Sequence, residues 1–402
     1  MDLDFLDIMD YRGFLKDSTF VVEGQFDETA PNTHDGQIVA YIGFDLTAPS
    51  LHVGSLIQLM VLRWLSMTGN RAIALLGEAT TKIGDPSGKD ETRKMLSPEQ
   101  IEANHDGIAA VIRQVVPGIE FVTNDDWFEG HSPSFMGFLT EYGPHFTINR
   151  MMTFESVKRR LDRQQPLTFL EFCYMLLQAV DFRELHKRVG VNMQIGGSDQ
   201  WGNIINGVEV IRRKDGTRVN AFTTPLLTDK DGNKMGKSQG RPIWLDAEMT
   251  PVFDFFQYWR NCDDKDVWRF FKLFTHVSLS SIEAMRTHTD INEAKKALAF
   301  DITQIVHGKE AAQAALDQSV AIYERGDTSG LAAAVTATGR AALIDMMVAA
   351  GLAESKGAAR RLVAGNAVSV NGEKVADAAM FLDEDSILKA GKKPPVKVEI
   401  KK

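Results

Sequence analysis

The stretch QIVAYIGFDLTAPSLHVGSL, residues 37–56, decides the fold class. It begins as an apolar, β-branched run that ends in Asp45, and the Thr47-Ala48-Pro49-Ser50 segment behind it carries turn residues. Such a run bounded by a turn reads as a strand. A helical pattern opens at Leu51, with Ser50 placed to cap it. His52 and Ser55 lie three apart on that helix and share a face. Gly54 removes a side chain where something flat or anionic could approach, and a helix N-terminus favours phosphate oxygens. The same residues would equally suit an ordinary capped helix with a tolerated glycine.

Working outward, short β-like runs alternate with helical patterns from about 36 to 225. This alternation predicts a parallel α/β sheet, whose ligands bind beyond the carboxyl ends of the strands. A Gly- and Lys-rich loop, TDKDGNKMGKSQG, follows at 228–240, and residues 251–326 carry helical apolar spacing. GDTSGLAAAVTATG, 326–339, reads as a linker. Beyond it come two short helices and an Asn371-Gly372 hairpin signal.

Net charge is −9, with 44% hydrophobic and 25% charged residues, which excludes wholesale coating of nucleic acid but permits a local basic patch. The last 52 residues hold ten Lys/Arg against seven Asp/Glu, so the charge is unevenly shared. Two cysteines, Cys173 and Cys262, make neither a disulfide framework nor a metal site. The acidic N-terminus is unlike a targeting peptide, and Arg63 interrupts the LIQLMVLRWL run well short of the roughly 20 apolar residues a membrane span needs. A cytoplasmic protein without a membrane partner is expected.

Three further constellations carry chemistry. In LLGEATTKIGDPSGKDETR, 75–93, a carboxylate at Asp85 precedes two cations, Lys89 and Arg93, four apart; this suits a zwitterionic substrate beside an anion, or a plain connection. In FLEFCYMLLQAVDF, 169–182, Glu171, Tyr174, Gln178 and Asp181 form one polar stripe on a helix that is otherwise apolar. A helix apolar over most of its circumference is generally buried. Its polar stripe is then expensive unless partnered, so it is expected to line a polar pocket. The strand end MQIGGSDQWGN, 193–203, offers close backbone approach at Gly196-Gly197 and an acid, Asp199, fit for ribose hydroxyls, or else a plain turn. The lysines of KMGKS, 234–238, do not make a P-loop, because only three residues separate Gly232 from Gly236.

HVGS followed by KMGKS resembles the paired signatures of class I aminoacyl-tRNA synthetases. With YIGFDLTAPSLHVG, IGDPSGK, YMLLQAVDF and QIGGSDQWGN, the chain looks like the bacterial-type tyrosyl-tRNA synthetases over residues 36–260, and again over 340–375. The resemblance implies an α/β fold: a Rossmann-like catalytic domain (1–227), a signature loop (228–245), a helical anticodon-side domain (246–330), a linker (331–339) and a small α+β RNA-binding domain (340–402). It implies tyrosine activation with ATP and Mg2+, transfer to tRNA(Tyr), a homodimer, and no tightly bound prosthetic group or protein-held metal. Residue by residue, it implies that Tyr41 and Asp181 bond the phenolic hydroxyl. Asp85, Tyr174 and Gln178 would hold the ammonium, with Gln200 near the carboxylate. Gly43, Asp45, Thr47, His52, Gly54, Ser55, Gly197, Asp199, Lys237 and Ser238 would contact ATP. Lys89, Arg93, Lys234 and Lys237, with His52, would act on the phosphates in catalysis.

Two positions depart from the family pattern: Ser55 stands where histidine is usual, and Glu78 sits in the Gly-rich segment. A tryptophanyl relative is disfavoured by the Tyr41–Asp181 pair and by the C-terminal module. A short nucleotidyltransferase is disfavoured by the lysine loop and that same module. An RNA-binding protein on an inactive scaffold is disfavoured by intact His52, Asp85, Lys234 and Lys237.

Overall fold

The computed structural model describes residues 4–22, 25–26, 36–85, 96–129, 134–228, 235, 237–238, 241–327, 331, 333–391, 393 and 395–401, with the backbone alone at 22, 25–26, 155–156, 237–238 and 241. Two units, Met1–Ala312 and Gln313–Lys402, divide the chain.

The first unit is built on six strands: β1 (Asp17–Ser18), β2 (Val39–Asp45), β3 (Arg71–Gly77), β4 (Glu120–Thr123), β5 (Met193–Gly197) and β6 (Asn220–Thr224), in the order β1-β6-β5-β2-β3-β4. β2 to β6 pair in parallel, and the short β1 is antiparallel to β6. The chain runs outward from β2 to β4, then returns to the other side of β2 for β5 and β6. That reversal opens a crevice at the carboxyl ends of β2 and β5, the place where such sheets bind ligands. Tyr41, Ile73 and Leu75 of the central strands are buried, as near-continuous apolar strands in a covered parallel sheet must be.

Four helices matter for the site: α1 (Leu56–Met67), α2 (Pro98–Val115), α3 (Phe169–Val189) and α4 (Trp201–Asp215). α2 starts with proline behind a Ser97–Gln100 capping box, and α3 behind a Thr168–Glu171 capping box; Gly190, in the left-handed region at φ 75°, closes α3. Helices Val252–Arg260, Val267–Phe274, Leu279–His288 and Ile291–His307 follow, as the spacing implied. Arg12 ties the N-terminal helix to this region. Its guanidinium donates to the carbonyls of Lys272 (2.9 Å), Thr275 (2.9 Å) and Val277 (2.7 Å) and covers the Trp64 ring at 4.6 Å. Arg63, the charge that interrupts the apolar run of α1, donates Nε–H to His276 Nε2 (3.2 Å) and Nη1 to the Val115 carbonyl.

The second unit holds a five-stranded sheet in which β7 (Ala333–Thr338) pairs in parallel with the final strand Val396–Lys401. The expected linker at 331–339 is therefore corrected: its small residues build an edge strand. Alternation fails as a signal there because neither face of β7 is deeply buried. The Asn-Gly signal is accurate. Asn371 (φ 50°) and Gly372 (φ 89°) join Val368–Val370 to Glu373–Lys374, the positive-φ pair that a two-residue hairpin of this type requires.

The start of α1 also differs from expectation. Ser50 does not cap it, and its hydroxyl donates to the neighbouring Leu51 carbonyl at 3.0 Å. His52 is extended (φ −113°, ψ 171°) and its Nδ1 accepts from Gly54 N–H at 3.0 Å, capping a short 3-10 turn, Val53–Ser55, that leads into α1.

Candidate active site

A cavity of about 330 Å³ opens at the β2–β5 reversal. Its wall includes Tyr41, Gly43, Asp45, Thr47, His52, Ser55, Asp85, Tyr174, Gln178, Asp181, Gly197 and Gln200. Residues from four separate sequence stretches thus converge on one space. Gly54 and Asp199 sit just behind that wall. A Cβ at Gly54 would stand 2.8 Å from the Met235 carbonyl and 2.7 Å from its own neighbour's His52 ring; one at Gly197 would stand 2.8 Å from Asp199 Oδ1. Gly54 is thus needed for the packing of the chain on itself. Lys89, Arg93 and Lys234 lie outside the described residues, and Lys237 and Ser238 are described only as a backbone strand paired with Arg241–Pro242.

At one end of the cavity, α3 presents Asp181, only 2% exposed. Its Oδ1 accepts from Trp127 Nε1 at 2.8 Å and its Oδ2 from Asn124 Nδ2 at 3.2 Å. Burial nevertheless pushes its carboxyl up to about 8, against the pull of those two donors. Tyr41 OH is buried, with no hydrogen-bond partner among the described residues, and burial with the nearby Asp181 charge raises its pKa well above the ordinary value. A buried hydroxyl and a buried carboxyl of this kind are costly unless a ligand group meets them.

A polar chain connects this end to the rest of the site. Asn124 Nδ2 also donates to Thr80 Oγ1 (3.1 Å), and Thr80 Oγ1 and Tyr174 OH both reach Asp45 Oδ1, at 3.2 and 3.0 Å. Burial raises the Tyr174 hydroxyl too, with Asp45 and Asp85 adding to the effect. On the facing wall Gln200 Nε2 donates to Asp85 Oδ2 at 2.7 Å, and Asn203 Nδ2 donates to Gln178 Oε1 at 2.9 Å. The polar stripe of α3 is therefore realised at Tyr174, Gln178 and Asp181. Glu171 departs from it: buried and paired with Arg160 at 3.3 Å, it serves the capping box and stays out of the cavity. Nor is α3 apolar and buried throughout, since Phe169 (71%) and Leu170 (47%) are exposed.

The other end is framed by the turn after β2 and the start of α1. The His52 cap uses Nδ1 as acceptor, so its proton resides on Nε2, which becomes the donor nitrogen. Backbone bonds Val53 N to Ile243 O (2.9 Å) and Leu245 N to Leu51 O (2.8 Å) tie this motif to the segment that follows the lysine loop, and Trp244 joins the cavity wall. Beneath, the Pro49 carbonyl rests on Gly107 of α2, where a Cβ would come within 2.0 Å of it. Ser55 lines the cavity and makes no capping bond with its side chain. Glu78 opens the short helix Glu78–Ile83; burial raises its carboxyl, and it lies 3.6 Å from His105 Nε2. Among the described residues, no group of three or more His, Cys, Asp or Glu side chains is arranged to hold a metal ion, and no helix is long and apolar enough to cross a membrane.

Sequence reasoning missed Thr80, Asn124, Trp127, Asn203, Gln58 and Gln194. The first four orient the carboxylates and amides just described; the last two line the cavity with buried amide oxygens. Gln194 and Asn203 sit inside the QIGGSDQWGN motif and Thr80 inside the 75–93 stretch without having been singled out, whereas Asn124, Trp127 and Gln58 lie outside every motif, where only polar character inside a buried segment could have flagged them.

A family model described as tRNA synthetases class I (W and Y) matches residues 33–324, and one described as the tyrosine–tRNA ligase SYY-like C-terminal domain matches 325–393. A tyrosine–tRNA ligase of Wolbachia sp. subsp. Brugia malayi is 44% identical, the match covering 99% of each chain. One of Caulobacter vibrioides is 45% identical over 98% of this chain and 97% of its own. Among solved structures, a C-terminally truncated mitochondrial tyrosyl-tRNA synthetase of Aspergillus nidulans superposes with a TM-score of 0.68 at 28% identity, covering 80% of this chain and 94% of that one.

Proposed function

The chain belongs to the class I tRNA synthetases of the W and Y group and to their tyrosine–tRNA ligases, and from that premise we propose how its cavity performs the reaction. The activity joins tyrosine to tRNA at the expense of ATP. One observation supports the assignment of the ends above all: the unpartnered Tyr41 hydroxyl beside the buried Asp181 carboxyl. A phenol serves both, donating to a remaining lone pair of Asp181 and accepting from the Tyr41 hydroxyl. Phenylalanine would leave the Tyr41 hydroxyl unpartnered and set an apolar ring edge against the Asp181 carboxyl, the way a site built to bond a hydroxyl rejects the analogue that lacks it.

The tyrosine ammonium then lies between Asp85, the Tyr174 oxygen and Gln178 Oε1. Tyr174 spends its proton on Asp45 and keeps lone pairs for the ammonium. Gln200, already bonded to Asp85, has a second amide hydrogen for the substrate carboxylate. That carboxylate is a nucleophile as it stands, so attack on the α-phosphorus needs no general base. Oxygen–phosphorus bond formation expels pyrophosphate and leaves tyrosyl-adenylate; the ribose hydroxyl at the tRNA 3′ end then takes the acyl group and releases AMP. Rate must come from positioning and from donors aimed at the phosphorus oxygens. His52 Nε2, with Thr47 and Ser55 nearby, is proposed for the nucleotide end. Gly43, Gly54, Gly197 and Ser238 would allow close approach of ATP, and Asp45 and Asp199 would accept from it. Lys89, Arg93, Lys234 and Lys237 would take the pyrophosphate charge. ATP would enter as its magnesium complex, the metal held on phosphate oxygens.

The helices of 246–330 and the C-terminal module are proposed to engage tRNA, and the cytoplasm as the place of work. A homodimer is proposed as well. Phe135, Met136, Ile148, Phe169 and Leu170 are exposed on segments that pack together through Met151, Val157, Met175 and Leu176, the kind of patch that marks an association surface. Amino-acid-dependent pyrophosphate exchange into ATP tests the reading. Exchange is expected with tyrosine and little with tryptophan or phenylalanine; none with any amino acid overturns it.

A further inference from the structure

Glu78 takes no direct part in the reaction, yet it stands at a joint that shapes the amino-acid end of the cavity. Both donors to the Asp181 carboxylate come from one turn: Asn124, and Trp127 on the four-residue helix Asp125–Phe128 that follows it. The place of that turn therefore decides where both donors point. Asn124 makes no capping bond with its side chain, although asparagine is a favoured N-cap. Its Oδ1 instead accepts from Ala79 N–H at 2.9 Å, and its Nδ2 donates to Thr80 Oγ1 as well as to Asp181. The turn is thus tied to residues 79–80 through the amide itself.

A second tie lies one residue along. Glu78 and Lys82 are one turn apart on Glu78–Ile83, and both meet Asp125. Lys82 Nζ stands 3.7 Å from Asp125 Oδ2 and also pairs with Glu129. The other oxygen, Asp125 Oδ1, is closed off from solvent and has no hydrogen-bond donor among the described side chains as charged. A buried oxygen in that position needs a donor. The Glu78 carboxyl is within hydrogen-bonding reach of Asp125, and two carboxyls in reach of each other bond only by sharing a proton. Burial and the Asp125 charge raise the Glu78 carboxyl above its ordinary range, with the His105 and Lys82 charges pulling the other way. His105 of α2, its Nε2 3.6 Å from Glu78, borders the pair. We propose that Glu78 is a positioning residue for amino-acid selection: by bonding Asp125 it fixes the turn that aims Asn124 and Trp127 at Asp181. This rests on the reading of that end of the cavity as the phenol site.

The test is pyrophosphate exchange in the full-length enzyme with tyrosine and with phenylalanine. Wild type, Glu78→Ala, Glu78→Gln, Asn124→Ala and the double variant Glu78→Ala/Asn124→Ala are compared. Glu78→Ala should raise the tyrosine KM about three- to tenfold, leave the ATP KM in place, and lower the tyrosine-to-phenylalanine ratio of kcat/KM by a similar factor. Glu78→Gln offers Asp125 an amide donor that needs no shared proton, and should keep the tyrosine KM and that ratio close to wild type. Because Glu78 acts through the turn, its removal should matter less once Asn124 is alanine. An unchanged tyrosine KM and ratio in Glu78→Ala overturn the proposal. So does an equal loss with both amino acids together with a lower melting temperature, which is what a merely structural role would give. Glu78→Gln as damaging as Glu78→Ala, or an undiminished effect beside Asn124→Ala, overturns it as well. Wild type without any tyrosine-dependent exchange fails the cavity reading itself, a distinct result.

Discussion

Replacing Asp181 with asparagine separates recognition from folding. The carboxylate uses one oxygen for Trp127 Nε1 at 2.8 Å and the other for Asn124 Nδ2 at 3.2 Å. Asparagine keeps the volume but offers one oxygen, so one fixed donor, or the incoming phenol, faces an NH2 group. Losing a hydrogen bond to a charged acceptor costs about 1.5–3 kcal/mol, and stranding a buried donor adds about 1–3 kcal/mol. At about 1.4 kcal/mol per tenfold, kcat/KM for tyrosine should fall by roughly two to four orders of magnitude. Phenylalanine has no phenolic donor to lose, so its small exchange rate should hold or rise. The readout is the ratio of kcat/KM for the two amino acids in pyrophosphate exchange, with circular dichroism confirming the fold. An equal fall for both amino acids would refute the reasoning and make Asp181 a support for the helix; an unchanged rate with tyrosine would refute it as well.

The same carboxyl dictates a pH dependence. Before tyrosine binds, Asp181 titrates at about 8, so tyrosine affinity measured by calorimetry should climb from about pH 6 to 8 and then level, with a proton released on binding at the lower pH. Because the folded value lies above the unfolded value of about 3.9, the folded state binds the extra proton between the two, and stability should decline as pH rises through that window; in Asp181→Asn the part of the melting-temperature slope due to this group should vanish. Gly107→Ala should behave opposite to a normal helix glycine, whose replacement gains about 0.5–1 kcal/mol. Its Cβ would stand 2.0 Å from the Pro49 carbonyl, so the Thr47–Ser50 turn must move, the ATP KM should rise and the tyrosine KM should stay. Removing residues 325–402 should spare pyrophosphate exchange and impair tRNA charging; equal loss of both would contradict the proposed division of labour.

Much of this was legible in the sequence because the α/β signal is local. Strand, turn and helix succeed one another in residues 37–67, and the acid, amide and hydroxyl of α3 announce a pocket because a buried stripe has no cheaper explanation. What escaped was set by distance along the chain. Asp181 takes its shape from Asn124 and Trp127, 57 and 54 residues away, and no periodicity encodes such pairings. The strand Ala333–Thr338 was hidden because its alanines and threonines alternate nothing, and its partner is the last strand of the chain. The Ser50 cap was a sound propensity argument that lost to a competing one: His52 is extended and caps its own turn. Glycine 54 was recognised as necessary for an incomplete reason, since Met235 also comes close to where its Cβ would stand.

A crystal structure with a non-hydrolysable tyrosyl-adenylate analogue tests the account most directly. The phenolic oxygen should lie within hydrogen-bonding distance of both Tyr41 OH and the Asp181 carboxylate, with the adenosine toward His52 and Gly197. A tyrosyl ring bound elsewhere, or turned so that the adenosine meets Asp181, would contradict it.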